Sequence, residues 1–306
     1  MSKELVSVII PSFKMGQFIG EALESVGVQT YPHWEVVVVD DAGPEDGTRA
    51  AVKAFAARHL NQRVEYIRHE TNQGVSVARR TAFEVARGAY IAFLDSDDFF
   101  HPKKIEHAVQ KLEKSPGCVL IHTAITPIST SLQMKKFMRG WFNQSSFSGA
   151  YRPLQENKIL TENHICNSTV LCRRWAIQPD DFPKKMVYQY EDWLVWLKLG
   201  ARGLFYFDPR PLTYYRIHKK SFSSKISQSP ASQELARLEM LYFALLSSLG
   251  ILIGNKVIRE MWRGAERYWR TVDADAPRRP VASNLFIQIL LRIVRSIQKN
   301  KQILCK

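Results

Sequence analysis

Strand-like apolar segments alternate with amphipathic segments through the first hundred residues of the chain. The strand-like segments are Val6–Ile10, Glu35–Val39, Arg63–Arg68 and Tyr90–Leu94, and the amphipathic ones are Phe18–Val28, Thr48–Arg58 and Val75–Ala86. Apolar runs without polar alternation are typical of strands covered on both faces, whereas apolar positions three and four residues apart are typical of helices. The alternation predicts an α/β fold with a mostly parallel central sheet built from right-handed βαβ units.

The pattern is less regular after residue 100. We predict helices over Pro102–Lys114 and Tyr190–Leu199, and strands over Cys118–Ala124, Ser168–Cys172, Phe205–Phe207 and Leu212–Ile217. Residues 126–160 show no clear pattern and are expected to form a loop over the site. Beyond Pro230 the pattern becomes helical, over about residues 232–249, 255–272 and 284–299. We therefore expect one α/β domain over residues 1–222 and a helical extension over residues 223–306.

Two of the predicted strands end in clustered acidic residues. Tyr90–Leu94 leads into Asp95, Asp97 and Asp98, and Glu35–Val39 leads into Asp40–Asp41. The carboxyl ends of parallel strands meet at one edge of a sheet, where ligands of α/β proteins bind. Crowded carboxylates repel one another, and a divalent cation such as Mg²⁺ or Mn²⁺ offsets that repulsion. The competing interpretation is structural: both acidic segments precede a predicted helix and could cap it.

The chain is basic, and its positive charge is unevenly distributed. The formal net charge is +14. Residues 1–218 contain 27 Lys and Arg against 23 Asp and Glu, whereas residues 219–306 contain 16 against 6. The C-terminal region therefore favours an anionic partner, with membrane lipid ahead of nucleic acid.

Cysteine usage and hydropathy indicate a cytosolic protein. The four cysteines have no Cys-x-x-Cys pair and no zinc spacing, which favours free thiols in a reducing compartment. The segment Leu5–Ile10 is too short for the apolar core of a signal peptide, and no run reaches the length of a membrane-spanning helix.

Six motifs, in order, resemble those of the family 2 glycosyltransferases of the GT-A fold, a bacterial group that acts on cell-surface polysaccharides. The matching segments are Val8–Phe13, Val39–Thr48, Asn72–Arg79, Phe93–Asp98, Tyr190–Trp193 and Tyr215–His218. The resemblance covers about residues 4–222. It implies inverting transfer of a sugar from a nucleotide-diphosphate sugar, most often a UDP-sugar, to an acceptor hydroxyl of a glycan or lipid-linked glycan.

The resemblance also implies which residues bind the donor. Asp41 matches the acid that bonds the base, with Asp40 as its partner, and Phe13 stands where the family often has a tyrosine against the base. An aromatic face is retained there, although the hydroxyl is lost. The other residues that match donor-binding positions are Pro11, Ser12, Arg79, Asp95, Ser96 and Arg216.

Metal binding and catalysis are implied in the same way. Asp97 matches the metal-binding acid of the D-x-D motif, and His218 matches a late motif that could supply a further ligand to Mn²⁺ or Mg²⁺. Such a metal neutralises charge on the departing diphosphate. Asp192 matches the catalytic base, and its place at the start of a predicted helix favours the ionised carboxylate. The structural alternative is that Glu191 and Asp192 only complement the helix dipole.

Three other protein classes fit less well. A receiver domain places its acidic pair after the first strand, where this chain has Pro11–Ser12–Phe13, and is far shorter. A nucleotidyltransferase usually has a glycine-rich basic phosphate loop after its first strand, but Pro11–Gly16 contains a single glycine and a single lysine. A non-catalytic sugar-nucleotide-binding protein remains open on sequence alone.

The C-terminal segment suggests peripheral membrane contact. Between Leu285 and Lys299, polar residues recur at intervals of four, three and four on an otherwise apolar predicted helix, namely Gln288, Arg292, Arg295 and Lys299. Its apolar stretch, about 20 Å long as a helix, is too short to span a hydrocarbon core of about 30 Å. We expect it to lie on the inner face of the cytoplasmic membrane, or alternatively to pack on the preceding helices.

Overall fold

A computed structural model describes residues 3–129, 131–132, 135–136, 139–140, 148–154, 159, 163–182 and 191–218. In this part of the chain the strands form one nine-stranded sheet in the order β3-β2-β1-β4-β8-β6-β9-β5, with β7 also paired to β9. The α/β architecture expected from the sequence is confirmed. The predicted C-terminal helices, about half of the loop at 126–160 and the start of the helix at Tyr190 lie outside the described residues.

The N-terminal part of the sheet is parallel. Its strands are β1 (Val6–Ser12), β2 (Trp34–Asp40), β3 (Val64–Arg68) and β4 (Tyr90–Phe93). The connecting helices are α1 (Gly16–Gly27), α2 (Thr48–Arg58) and α3 (Val75–Val85). Every residue of β1, β2 and β4 is buried, as their continuous apolar runs predict.

The second part of the sheet mixes directions. Its elements are β5 (Phe99–Phe100), α4 (Lys104–Lys114), β6 (Cys118–Ile128), β7 (Gly149–Tyr151), β8 (Leu171–Arg173), α5 (Glu191–Gly200) and β9 (Leu204–Arg216). Strand β8 is antiparallel to both β4 and β6, whereas β6 and β9 are parallel. Strand β8 therefore brings the segment before it to the carboxyl end of β4.

Three segments differ from the sequence prediction. The sequence predicts a loop over residues 126–160, but β6 continues to Ile128 and Gly149–Tyr151 form β7, because both stretches find a partner in β9. The strands predicted at Phe205–Phe207 and Leu212–Ile217 are one strand, β9, which continues through an irregularity where the register jumps from Asp208 to Pro211. The prolines of this segment lack the N–H that a regular ladder needs, so two residues bulge out and pairing resumes beyond them. At Ser168–Cys172 the first residues instead form a 3-10 turn, Asn167–Thr169, ahead of β8.

No helix among the described residues is both long and apolar enough to cross a membrane.

Candidate active site

Asp41 lies directly after β2 and faces the beginning of α3. Its carboxylate accepts hydrogen bonds from the backbone N–H groups of Gln73 (2.8 Å) and Gly74 (2.7 Å), and the Nδ1 atom of His69 is 2.7 Å away. The first N–H groups of a helix have no partner within it, so they are available to a carboxylate. Gly74 has a φ of +91°, a backbone conformation that glycine adopts without strain.

Asp40, the last residue of β2, is bound from the other side. Its side chain accepts hydrogen bonds from the Tyr66 hydroxyl (2.8 Å), from Arg68 Nη1 (2.5 Å) and from the backbone N–H of Gly43 (3.1 Å). The structure thus gives both acids of this pair a role in holding the strand end together. A direct contact between Asp41 and a nucleotide base stays a prediction.

An aromatic ring is exposed beside this strand end. Phe13 follows β1 and is 38% exposed, whereas Pro11 and Ser12 are buried below it. A Cβ added to Gly43 would lie 3.6 Å from Phe13 Cδ2 and 3.1 Å from the backbone nitrogen of Lys14, so glycine lets the two loops approach closely. The Phe13 ring therefore stands partly exposed at the carboxyl edge of the sheet, with Lys14 Nζ 4.8 Å from its centre.

The acids after β4 are held by residues that arrive just before β8. Asp95 Oδ1 accepts hydrogen bonds from Arg79 Nη2 (2.8 Å) and Asn167 Nδ2 (2.9 Å). Asp98 accepts them from the Ser168 hydroxyl (2.6 Å) and from the backbone N–H of Arg216 (2.9 Å). Ser96 is buried between these two acids. The 3-10 turn is thus shaped by the acids that its side chains contact.

A buried lysine supports the same turn from below. Lys104 of α4 is 1% exposed, and its Nζ donates to Thr123 Oγ1 (3.2 Å) and to the backbone carbonyl of Thr169. Burial lowers the pKa of this lysine to about 7, although the charge of Asp208 opposes the shift.

Asp97 and His218 form the pair that the sequence predicts for a metal. His218 Nε2 lies 3.0 Å from Asp97 Oδ2, both side chains are partly exposed, and the imidazole packs on Phe18 with ring centroids 4.8 Å apart. The described residues contain no preformed group of three or more acidic, histidine or cysteine side chains that could hold a metal ion. A carboxylate with an imidazole suits Mn²⁺ or Mg²⁺ if donor oxygens and water complete the coordination.

Arg216 fixes the segment that carries Asp97. Its Nε donates to the backbone carbonyl of Asp97 (2.9 Å), and a terminal nitrogen forms an ion pair with Glu21. The guanidinium also lies 4.9 Å from the centre of the Phe18 ring and 5.5 Å from that of Phe99. Contact of Arg216 with a diphosphate stays a prediction.

Glu191 and Asp192 stand at the beginning of α5. Glu191 Oε1 accepts a hydrogen bond from Arg79 Nη1 at 2.7 Å, and Asp192 Oδ1 accepts them from Asn163 Nδ2 (3.1 Å) and the backbone N–H of Trp193 (2.7 Å). Burial first, and then the charge of Glu191, raise the pKa of Asp192 to about 7, whereas Arg79 opposes the shift. A carboxylate with such a pKa is suited to accept a proton near neutral pH.

The surroundings of the buried acids near Arg79 and the D-x-D motif disfavour their ionised form. Burial raises the pKa of Asp95, and it raises the pKa of Asp98 still further with the help of the neighbouring Asp97 charge. Buried polar atoms without a hydrogen-bond partner occur in the same region, among the residues described, on Ser76 Oγ, Arg79 Nε, Asn167 Oδ1 and Trp196 Nε1. Because native proteins satisfy most buried polar groups, this concentration marks a region not built for stability alone.

The structure brings the predicted residues to one edge of the sheet and adds others that the sequence argument missed. The missed residues are the supports of the acids, namely His69, Asn163, Asn167, Ser168 and Lys104. The polar run Asn167–Ser168–Thr169 within an otherwise apolar segment was the available signal, because such a run is unusual in a buried strand.

Comparison with known proteins agrees with this geometry. The family model described as glycosyl transferase family 2 matches residues 7–175. The putative teichuronic acid biosynthesis glycosyltransferase TuaG of Bacillus subtilis is 31% identical over 72% of this chain and 82% of its own length. The UDP-Glc:alpha-D-GlcNAc-diphosphoundecaprenol beta-1,3-glucosyltransferase WfgD of Escherichia coli is 31% identical over 65% of this chain and 71% of its own.

A solved structure shares the fold at low sequence identity. TarS of S. aureus, residues 1–349 in complex with UDP-GlcNAc, superposes with a TM-score of 0.63 at 19% identity, over 83% of this chain and 69% of that one. The fold is accordingly that of the GT-A glycosyltransferases. With a family model that spans more than half of its length, the chain belongs to glycosyltransferase family 2.

Proposed function

We propose that this glycosyltransferase transfers a sugar from a UDP-sugar to a hydroxyl of a lipid-linked glycan, with inversion and with the help of a divalent metal. The observation that carries the proposal is the double contact of Arg79. It binds Asp95, two residues before the metal-ligand candidate Asp97, and Glu191, the neighbour of Asp192. The donor motif and the candidate base therefore belong to a single site.

The donor nucleotide would lie against the ends of β1 and β2. The exposed Phe13 ring suits stacking with a base, Pro11 and Ser12 form the wall below it, and Asp41 retains acceptor capacity beyond its three contacts. UDP is favoured because the donor in the name of WfgD is UDP-Glc and TarS was solved with UDP-GlcNAc. Asp40, Arg79, Asp95, Ser96 and Arg216 would shape the ribose and diphosphate subsite.

Asp97 and His218 would hold Mn²⁺ or Mg²⁺. Such an ion would supply Lewis-acid stabilisation of the leaving diphosphate. The Asp97 side chain is 20% exposed beside His218, so its carboxylate is accessible to a cation at the edge of the site.

Asp192 would take the proton of the acceptor hydroxyl as that oxygen attacks the anomeric carbon. Inversion by a single displacement requires such a base opposite the leaving group. The hydrogen bonds that the described residues Asn163 and Trp193 donate reach Oδ1 of Asp192, and we assign Oδ2 to the incoming hydroxyl.

The decisive experiment is a donor panel. The purified protein is incubated with UDP-, GDP- and dTDP-sugars, Mn²⁺ and an undecaprenyl-diphosphate-linked GlcNAc acceptor, and products are identified by mass spectrometry, with Asp192→Asn as a matched control. We expect a glycosylated acceptor and free UDP that depend on Asp192. Formation of UTP and a sugar 1-phosphate from the UDP-sugar when pyrophosphate is added would identify a nucleotidyltransferase instead, and nucleotide binding without turnover would identify a binding protein.

We further propose a cytoplasmic protein of two parts, a catalytic domain over residues 1–222 and an extension over residues 223–306 that contacts the inner membrane surface. The support is the charge of residues 219–306, 16 basic against 6 acidic, and the diphosphoundecaprenol-linked acceptor in the name of WfgD. Deletion of residues 281–306 should abolish sedimentation with anionic vesicles at low salt while donor hydrolysis persists. If the full-length protein does not sediment with these vesicles, it does not bind membrane in this way.

A further inference from the structure

Arg79 joins two parts of the site that are far apart in sequence. Its side chain is 5% exposed, with Nη2 placed 2.8 Å from Asp95 Oδ1 and Nη1 2.7 Å from Glu191 Oε1. Its Nε has no hydrogen-bond partner within the described structure. A buried guanidinium between two carboxylates is favourable only while both pairs are intact, because either charge left alone would be desolvated without compensation.

The charges around Asp192 indicate that this arrangement influences the protonation of its carboxylate. Besides burial, the charged groups that act on it are Glu191 from its own helix, Arg79 from α3 and Asp95 from the end of β4. The thiol of Cys166, ahead of the 3-10 turn, also faces Asp192, whose charge helps to raise the pKa of that thiol. Glu191 and Asp95 raise the pKa of Asp192, and Arg79 lowers it. Arg79 is thus the cation that opposes the effect of the Glu191 and Asp95 charges on the candidate base.

We propose that Arg79 is a positioning residue for the base, which pairs with Glu191 and Asp95 and thereby keeps Asp192 ionised and able to accept a proton. The inference rests on the proposed function only in taking Asp192 as the base. It gives Arg79 a role in proton transfer in addition to the nucleotide contact that the family resemblance implies.

The first test compares Arg79→Gln with wild type across pH 5.5–9.5 at saturating Mn²⁺ and donor. Loss of the cation leaves Glu191 and Asp95 uncompensated, so the acid limb of the kcat profile should move upward by about one pH unit. For a group with a pKa near 7, that shift lowers kcat about fivefold more at pH 7 than at pH 9. The Kd for UDP is measured in parallel by calorimetry, so that a lost nucleotide contact is recorded separately from the position of the acid limb.

The second test uses a change of opposite sign. Glu191→Gln removes the negative charge beside Asp192, so the acid limb should move downward, and the double variant Arg79→Gln/Glu191→Gln should return towards wild type. Arg79→Lys keeps the charge but loses the fork that reaches both carboxylates, and its limb should fall between those of wild type and Arg79→Gln. If Arg79→Gln does not fold, the acid limb of Arg79→Lys decides the matter, because an unshifted limb there would contradict the proposal.

Three results would overturn the proposal. They are a loss of activity in Arg79→Gln that is uniform across pH, an unchanged acid limb with weakened UDP binding, and an unshifted limb in Glu191→Gln. The first indicates a purely structural residue, and the second a nucleotide ligand.

If the wild-type protein shows no turnover with any donor, the proposed function is wrong. The effect of Arg79 on Asp192 can then still be tested through the pH dependence of stability. An acid with a raised pKa in the folded state loses stability as pH rises towards that pKa and no further above it. Relative to Asp192→Asn, the melting temperature should therefore level off at a higher pH in Arg79→Gln than in wild type. An identical levelling point would contradict the proposal.

Discussion

The acidic ends of β2 and β4 lie at the same edge of one sheet, yet the protein satisfies their carboxylates to different extents. Asp40 and Asp41 each have three partners in the described structure, mostly backbone N–H groups and neighbouring side chains of the same βαβ units. Asp97, after β4, has one side-chain partner among the described residues, His218, and its neighbours Asp95 and Asp98 have raised pKa values.

The difference separates scaffolding from chemistry. The carboxylates after β2 use most of their acceptor capacity on the protein itself, so they stabilise the strand end and shape a pocket. The carboxylates after β4 and at the start of α5 carry charge that the protein compensates incompletely, which leaves them suited to a cation and to a proton. Substitutions of the acids after β2 and of those after β4 should therefore have different effects.

The largest effect is expected at the base. Asp192→Asn keeps the size and the contacts of Oδ1 but cannot take up a proton, so kcat should fall by about two to four orders of magnitude. The Kd for UDP should stay within about threefold in calorimetry. Near wild-type turnover would assign the base to another residue.

The next effect separates the two acidic ends by ligand. Asp97→Ala should weaken Mn²⁺-supported UDP binding about a hundredfold and uridine binding hardly at all, because uridine has no diphosphate to share the metal. Asp41→Ala should weaken both ligands by a similar factor, since its expected partner is the base. Calorimetry with UDP and uridine measures both, and equal losses for both ligands in both variants would contradict the distinction.

A smaller effect concerns stability. In Asp41→Asn the side-chain amide would face one of the two N–H groups of Gln73 and Gly74, so the free energy of unfolding should fall by about 2 kcal/mol. In Asp98→Asn the new amide can donate to the Ser168 hydroxyl and a buried charge disappears, so the change should stay below about 1 kcal/mol. Urea denaturation at pH 7 compares the two, and similar losses would show that both ends are scaffolding.

The smallest effect is a pH dependence at Lys104. Its pKa is lowered from 10.5 to about 7 by burial, so between these values the unfolded chain binds the proton more strongly and stability rises with pH. Lys104→Met lacks this linkage. The stability of wild type relative to the variant should rise by about 1 kcal/mol from pH 7 to pH 8, as measured by urea denaturation. A difference that is constant with pH would show that folding does not lower the pKa of this amine.

Much of the fold and of the candidate site is readable from the sequence because short-range patterns determine it. The buried runs of β1, β2 and β4 and the acids that follow them are local features, and a parallel sheet necessarily gathers its strand ends at one edge. The family resemblance then assigns a role to each acid, and these roles remain predictions to be tested.

The features of the site that the sequence does not predict depend on contacts between distant segments. Asn167 and Ser168 contact acids that lie about seventy residues earlier, and the hydroxyl of Ser168 bonds Asp98 in a 3-10 turn where propensity favours a strand. Likewise, both terminal nitrogens of Arg79 are engaged by carboxylates, a fact that neither spacing nor charge counting predicts.

The two residues that precede α3, Gln73 and Gly74, hold Asp41, and the helix carries Arg79 five residues after Gly74, about 7.5 Å further along its axis. Fraying of this end of the helix would release Asp41 and disturb Arg79 together, because one short segment supports both. Amide hydrogen exchange at Gln73 and Gly74 would then report on the whole edge, and donor binding should slow it there even though neither amide touches the sugar.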